Sequence, residues 1–311
     1  MHRFSWFLAP RIIEWRQHNR KTIGKRAMAD PTTTSGQILR ATVAETAIQV
    51  PGAPNALAGR LIEEAGFSAV YLSGGSLSAG VLAMPDIGLL TLTELVQQVE
   101  YLTARVEIPV IVDADTGFGG VANVERTVAQ LERAGAAAIQ LEDQELPKRC
   151  GHLSGKTLVP AADMCAKLQA ATAARMDENT VIIGRTDARG VEGFDAALDR
   201  ARQYVEAGAD WIFPEALANR EEFQAFAEAI DLPLVANMTE FGRSPLLDFD
   251  DLAAIGYRVV LYPVTLLRVA MKAIESTLTM LAADGTQREL LDLMQTREEL
   301  YGLLGYDADV K

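Results

Sequence analysis

This chain has little cysteine and histidine, and its positive charge falls well short of its negative charge. Its 311 residues hold two cysteines, Cys150 and Cys165, too few for a disulfide framework, which favours a reducing, cytoplasmic-type compartment. Lys and Arg number 29 against 42 Asp and Glu, a net charge of −13. A field of that sign repels nucleic acid and anionic membranes. A small anionic substrate then needs a local cation or an arginine cluster to bind. The apolar stretch 4–9, cut short by Pro10 and Arg11, is too brief for a signal peptide or a membrane span. No stretch resembles a low-complexity linker. No Gly-x-Gly-x-x-Gly follows the first strand candidate, which weakens a dinucleotide-binding reading.

Positive charge gathers instead in the first thirty residues, where Arg3, Arg11, Arg16, Arg20, Lys21, Lys25 and Arg26 face only Glu14 and Asp30. A basic extension over residues 1–30 is expected: a disordered tail, an over-long start with the true start at Met28, or an organelle transit segment. The chain is 49% hydrophobic, enough to bury a large core. One barrel of roughly 250 residues takes up most of residues 31–311 as a single domain.

From residue 45 onward one theme repeats: a short apolar run ending in polar residues, then an amphipathic helix. The runs are 48–50, 69–72, 110–112, 138–141, 181–183, 211–213, 234–236 and 259–261. Each is rich in Val, Ile or Leu without alternation, as expected of parallel strands buried on both faces. "EEAGFSAVYL", "ERAGAAAIQL" and "VEAGADWIFP" each end a helix at Gly and enter a strand, the place for a left-handed helix C-cap. Pro109 and Pro233 start strands, where a missing N–H costs little. Eight β/α units predict a closed (β/α)8 barrel of the TIM type rather than an open doubly wound sheet.

In such a barrel the active site lies at the C-terminal strand ends. The residues there are Ser73, Gly74 and Gly75; Asp113 and Asp115; Glu142; Arg185; Glu215; Asn237 and Thr239. Asp113 and Asp115, two apart on extended backbone, point to one face. With Asp86 and Glu142 they make an all-oxygen set suited to Mg2+, or Mn2+ in its place. The competing reading is a pair of solvated loop carboxylates, and a position directly after a buried strand argues against it. Ser73, Gly74 and Gly75 can offer backbone N–H groups and a hydroxyl to a carboxylate, because two glycines allow close approach. Arg185, Arg268 and Arg297 are candidate carboxylate clamps. For Arg268 and Arg297 a solvated helix face competes.

Lys148-Arg149-Cys150-Gly151-His152 is the most specific stretch, and His152 is the one histidine beyond the leader. A thiol among cations and an imidazole is poorly explained as core packing, unlike Cys165 on the amphipathic stretch Ala161–Ala174. Two roles stay open for Cys150. Cations lower a thiol pKa and favour a thiolate nucleophile. A bound polyanion and Glu215 raise it and keep a proton for general-acid work.

With "YLSGGSLSA", "MPDIGLLT", "VDADTGFG", "QLEDQELPKRCGH", "GRTDA", "FPEA", "ANMTEFG", "LYPVTLLR" and "MQTREELY" in order, the sequence resembles the isocitrate lyase/phosphoenolpyruvate mutase superfamily. The Lys-Arg-Cys-Gly-His loop is the lyase form. The resemblance implies a Mg2+-dependent homotetramer whose last helices swap between neighbouring subunits. It implies retro-aldol cleavage of a tricarboxylate, (2S,3R)-2-methylisocitrate, to pyruvate and succinate in the methylcitrate cycle of propionate breakdown. Arg149 and the short chain favour the methylated substrate over isocitrate, and Phe213 and Leu261 stand where isocitrate lyases carry bulkier residues. Carried over by position, Asp113 and Asp115 hold Mg2+ with Asp86 and Glu142 behind them. The remaining strand-end residues named above, with Cys150, Gly151, Arg268 and Arg297, bind substrate. Cys150 protonates the departing succinate carbon, and Tyr71 and Asp86 are the candidates for the base. The departures are the basic leader and Glu-Leu-Pro at 145–147. Rivals are isocitrate lyase, another lyase or decarboxylase of the same superfamily, and a non-catalytic barrel that senses dicarboxylates. The intact thiol argues against the last, because a pure binder needs none.

Overall fold

A computed structural model describes residues 33–307, so the leader expected over residues 1–30 lies outside the described part. Helix α1 (Ser35–Glu45) precedes eight strands: β1 (Ile48–Pro51), β2 (Val70–Leu72), β3 (Val110–Asp113), β4 (Ala138–Glu142), β5 (Val181–Thr186), β6 (Trp211–Pro214), β7 (Val235–Asn237) and β8 (Val259–Tyr262). Between them run α2 (Ala56–Glu64), α3 (Gly74–Gly80), α4 (Leu92–Thr103), α5 (Val121–Arg133), α6 (Ala161–Ala174), α7 (Phe194–Glu206), α8 (Arg220–Ala229) and α9 (Phe249–Ile255). After β8 come α10 (Thr265–Asp284) and α11 (Arg297–Leu304).

Every strand pairing is parallel. β2 to β6 form one run and β7, β8 and β1 another, and bridges Gly52–Tyr71 and Ile212–Leu234 join the two at both seams. The result is the closed (β/α)8 barrel that eight apolar runs predict. The three glycines of the repeated phrase, Gly66, Gly135 and Gly208, take φ of +84°, +96° and +97°, the left-handed C-cap that spares them a Cβ clash. β4 and β5 run further than their apolar residues: Glu142 pairs with Arg185, and Asp113 pairs with Gln140 at the end of β3. Those charged groups are the last rungs of the ladder rather than loop residues.

Burial divides each strand by the two-residue period of extended chain. Tyr71, Ile111, Ala138, Ile183, Phe213, Val235 and Leu261 pack inside the barrel, where Leu39 and Val43 of α1 join them from below. Leu72, Val112, Ile139, Ile182, Ile212, Ala236 and Val260 pack outward against the helices. Both faces are apolar, which is why no alternation shows in the sequence. Continuing the inward parity toward the strand ends reaches Ser73, Asp113, Gln140, Glu142, Arg185, Glu215 and Asn237. One geometric rule therefore places the core and aims the polar groups at its open end. α10 stands apart: Leu267 is its one buried residue, and Val269, Met271, Ile274 and Leu278 are exposed. No described helix is long and apolar enough to cross a membrane.

Candidate active site

A cavity of about 590 Å³, counted with its open mouth, lies at the C-terminal ends of the strands. Four carboxylates crowd one side. Asp113 Oδ2 accepts the Gly74 N–H (3.1 Å), and its Oδ1 accepts the Gln140 amide (3.1 Å) and the Asp115 N–H (3.2 Å). Asp115 has left-handed backbone, φ +47°, which a non-glycine residue seldom holds. Lys148 Nζ bridges Asp86 Oδ1 and Asp115 Oδ1, each at 2.5 Å. Burial still lifts Asp115 to about 6, against Lys148 and with help from Asp113 and Asp86. Burial also pushes Glu142 well above the carboxylate range, and its Oε1 is enclosed with no hydrogen-bond partner. Gly74 and Gly75 permit the crowding: a Cβ would lie 3.2 Å from Asp115 Oδ1 at the first and 3.1 Å from Asp86 Oδ2 at the second.

Excess negative charge with an orphaned oxygen is the condition a hard cation relieves, and the all-oxygen donor set suits Mg2+. No three His, Cys, Asp or Glu side chains close into a ready-made cage among the described residues. Mg2+ fits such a site, since it takes one or two carboxylates and completes its shell with substrate and water.

Tyr71 sits beside this cluster and donates its hydroxyl to Gln140 Oε1 (2.8 Å). Asp113 only accepts, so the amide NH2 of Gln140 must face it and Oε1 must face Tyr71. The phenol is left with lone pairs alone for the cavity. Burial first, and Asp113 second, hold its pKa well above the phenol range. Tyr71 can therefore accept a hydrogen bond as a neutral phenol.

The segment carrying Cys150 also lines the cavity, and its Lys148 reaches the carboxylates. Gln144 grips it with both amide ends: it accepts the Arg149 N–H (2.9 Å) and donates to the Arg149 carbonyl (2.8 Å). His152 Nδ1 accepts the Arg243 N–H (2.9 Å), so the ring carries its hydrogen on Nε2, 2.7 Å from Glu215 Oε1. Asn237 Nδ2 (3.1 Å) and Arg185 Nη2 (3.2 Å) meet Glu215 Oε2. Burial pushes Glu215 up, but Arg185, His152 and Asn237 together outweigh it and hold the carboxyl well below its usual range. Gly151 lies directly on this pair; a Cβ there would collide with Arg185 Nη2 and sit 2.6 Å from Glu215 Cγ.

Cys150 lines the cavity and reaches solvent. Burial around its sulfur raises the thiol above its usual range; the His152 N–H lowers it by less, and Glu215 raises it again. The sulfur therefore keeps its proton at neutral pH, the state that general-acid work needs.

Arg185 is held by Asp187 (2.9 Å) and Glu142 (3.4 Å), with its guanidinium 5.1 Å above the Phe213 ring. Phe213 and Leu261 form an apolar wall, and Thr239 lines the mouth. Arg268 also lines it, tied to the Glu240 carbonyl (2.6 Å). Ser73 and Gly75 face the cavity, but the Ser73 hydroxyl accepts the Ser76 N–H (3.2 Å) and the Gly74 N–H is spent on Asp113. Arg297 opens α11, which docks on α2 through Arg60 and the Leu303 carbonyl (3.3 Å), and is not among the cavity residues. Sequence reasoning missed Gln140, Gln144 and Lys156. Gln140 carries a visible signal, a polar residue inside the apolar run of β4; the other two carry none.

Residues 39–282 match the family described as phosphoenolpyruvate phosphomutase. The chain is similar to the 2-methylisocitrate lyase of Aeropyrum pernix, 52% identical over 278 residues that cover 89% of each chain. Among solved structures it is similar to a 2,3-dimethylmalate lyase described as a phosphoenolpyruvate mutase/isocitrate lyase superfamily member. That match has TM-score 0.84 and 33% identity, covering 88% of this chain and 93% of that one. A phosphonopyruvate hydrolase in complex with oxalate and Mg2+ is also similar, with TM-score 0.80 and 34% identity, covering 88% and 95%.

Proposed function

The chain belongs to the phosphoenolpyruvate mutase/isocitrate lyase superfamily, and from that premise we propose that it cleaves 2-methylisocitrate to pyruvate and succinate. The observation that carries this is that Cys150, whose thiol burial holds above its usual pKa, lines one cavity with Asp86 and Asp113 of the carboxylate cluster. Retro-aldol cleavage needs both ends, because the substrate hydroxyl must lose its proton to become the pyruvate carbonyl while the other fragment departs as a carbanion that must gain one. Similarity to the Aeropyrum pernix enzyme supports the methylated substrate, as do Phe213 and Leu261 on the cavity wall.

Asp113 and Asp115 would hold Mg2+, with Asp86 and Glu142 behind them, and the Mg2+ of the similar phosphonopyruvate hydrolase supports that assignment. When bound, the ion would supply positive charge against the alkoxide that the substrate hydroxyl becomes before it turns into the pyruvate carbonyl. Arg185, Arg268, Asn237 and Thr239 bind the carboxylates. Asp86 takes the proton of the substrate hydroxyl as the carbon–carbon bond breaks, and Tyr71, a neutral phenol on the cavity wall, helps orient the substrate beside it. The electron pair of that bond stays on the succinate fragment, whose carbon receives the Cys150 proton. The segment over Arg185 and Glu215 keeps water from that carbon meanwhile.

A single barrel domain, assembled as a homotetramer with exchanged C-terminal helices, is part of the same proposal. Support comes from the apolar face of α10 and from Arg297, which would need a neighbouring subunit to meet a cavity. A cytoplasmic location rests on the free thiols of Cys150 and Cys165.

The test is kcat/KM for 2-methylisocitrate and isocitrate side by side, with a coupled pyruvate assay and with and without a chelator. A preference for the methylated substrate of about 10- to 200-fold is expected, the range one methyl group allows. Chelator should abolish turnover and Mg2+ restore it. Equal or reversed preference removes the substrate assignment, and no pyruvate from either removes the lyase assignment.

A further inference from the structure

Lys156 lies under the cysteine segment with its side chain 1% exposed, and no step above uses it. Its ammonium has two partners, the Gly151 carbonyl in a short hydrogen bond and Asp187 Oδ1 at 2.6 Å. A buried ammonium persists only where its charge is met, and here the anion that meets it is itself fixed. The Asp187 N–H donates to Asp143 Oδ1 (2.8 Å). Asp143 also accepts the hydroxyls of Thr186 (2.8 Å) and Tyr204 (2.7 Å). Asp187 Oδ2 accepts from Arg185 Nε (2.9 Å). The barrel side of the contact is therefore braced from several elements. The other side is the connection between β4 and α6, whose Leu146, Cys150 and Leu153 reach solvent.

We propose that Lys156 is the positioning residue for the acid: it ties the Gly151 carbonyl to Asp187 and so holds Cys150 over the carbon to be protonated, a role that rests on Cys150 being the proton donor proposed above. Gly151 follows Cys150 directly. Its Cα is pressed on the Arg185–Glu215 pair and its carbonyl is tethered by Lys156. Two anchors on one residue fix the peptide that carries the thiol. Losing the second leaves a buried carbonyl without its donor and lets the segment lift, and a displacement near 1 Å is enough to cost about 100-fold in rate. Lys156 itself is not among the cavity residues, so its effect passes through Cys150.

The test uses the whole chain in a Cys165→Ala background, so that Cys150 alone reports. Lys156→Met and Lys156→Arg are compared by iodoacetamide labelling and by steady-state kinetics, with thermal unfolding as the check on the fold. Lys156→Met should label at least about ten-fold faster and lose about 10- to 100-fold in kcat, with KM changed far less. Lys156→Arg, which keeps a charged donor, should recover most of both. If Lys156→Met does not fold, Lys156→Gln is measured with the same expectations. Unchanged labelling, a loss confined to KM, or an Arg variant as impaired as Met overturns the proposal. Labelling needs no turnover, so it tests the tether even if 2-methylisocitrate proves not to be the substrate. Normal tether behaviour without pyruvate release would sink the functional assignment alone.

Discussion

At Cys150 the question is which state one sulfur keeps. Lys148 and Arg149 beside it in sequence suggest a lowered pKa, yet neither cation serves the thiol. Lys148 is taken by Asp86 and Asp115, and Arg149 points at the Ser154 carbonyl (3.5 Å). Burial and Glu215 prevail instead. Cys150→Ser should keep Mg2+ and ligand binding by calorimetry while kcat falls at least roughly 100-fold, because a hydroxyl is a far weaker acid. Near-normal turnover would remove the acid role. The pH dependence follows with its sign: the working form is protonated, and a raised pKa extends that form to higher pH. The alkaline limb of kcat/KM should therefore lie above that of an ordinary free thiol, and its loss in Cys150→Ser would assign it. Gly151→Ala tests the neighbouring contact. Its Cβ would press on Arg185 and Glu215, so kcat should fall at least about ten-fold with the fold intact by circular dichroism.

The strand is the element that organises everything else. Its two-residue period was legible as composition only, since both faces are apolar, but the parity that buries Ile111 also aims Asp113 inward. The polar ends of the strands were visible for the same reason. Where β1 meets β8, Gly52 is bonded to Tyr262 (2.9 Å), and a Cβ there would lie 2.6 Å from the Pro263 carbonyl carbon. Gly52→Ala should push β1 from β8 beside the Gly52–Tyr71 seam and cost about 1–3 kcal/mol of stability in chemical unfolding. Unchanged stability would mean the seam yields more easily than the contact implies.

For the whole molecule, charge and exposed apolar surface pull in different directions. A net charge of −13 keeps copies apart at long range. Val269, Ile274 and Leu278 nonetheless stay exposed along α10, and covering such side chains is worth about 1.5–3 kcal/mol each. Ile274→Asp should therefore shift the particle toward smaller species in size-exclusion chromatography with light scattering, while the barrel's thermal transition remains. A wild-type monomer would end the tetramer proposal.

By itself the sequence determined the eight parallel strands, the carboxylates and arginine at their ends, and the family, because periodicity and motif spacing are local properties. Only the tertiary structure decided the rest. Tyr71 became an acceptor through Gln140, which lies 69 positions away, and Lys156 became a tether through Asp187, 31 positions away. Arg297 stands exposed at the start of α11, which docks on α2 through Leu303, and is absent from its own cavity. Protonation state and hydrogen-bond direction belong to the partners a side chain meets across space, and those partners exist only once the barrel has closed.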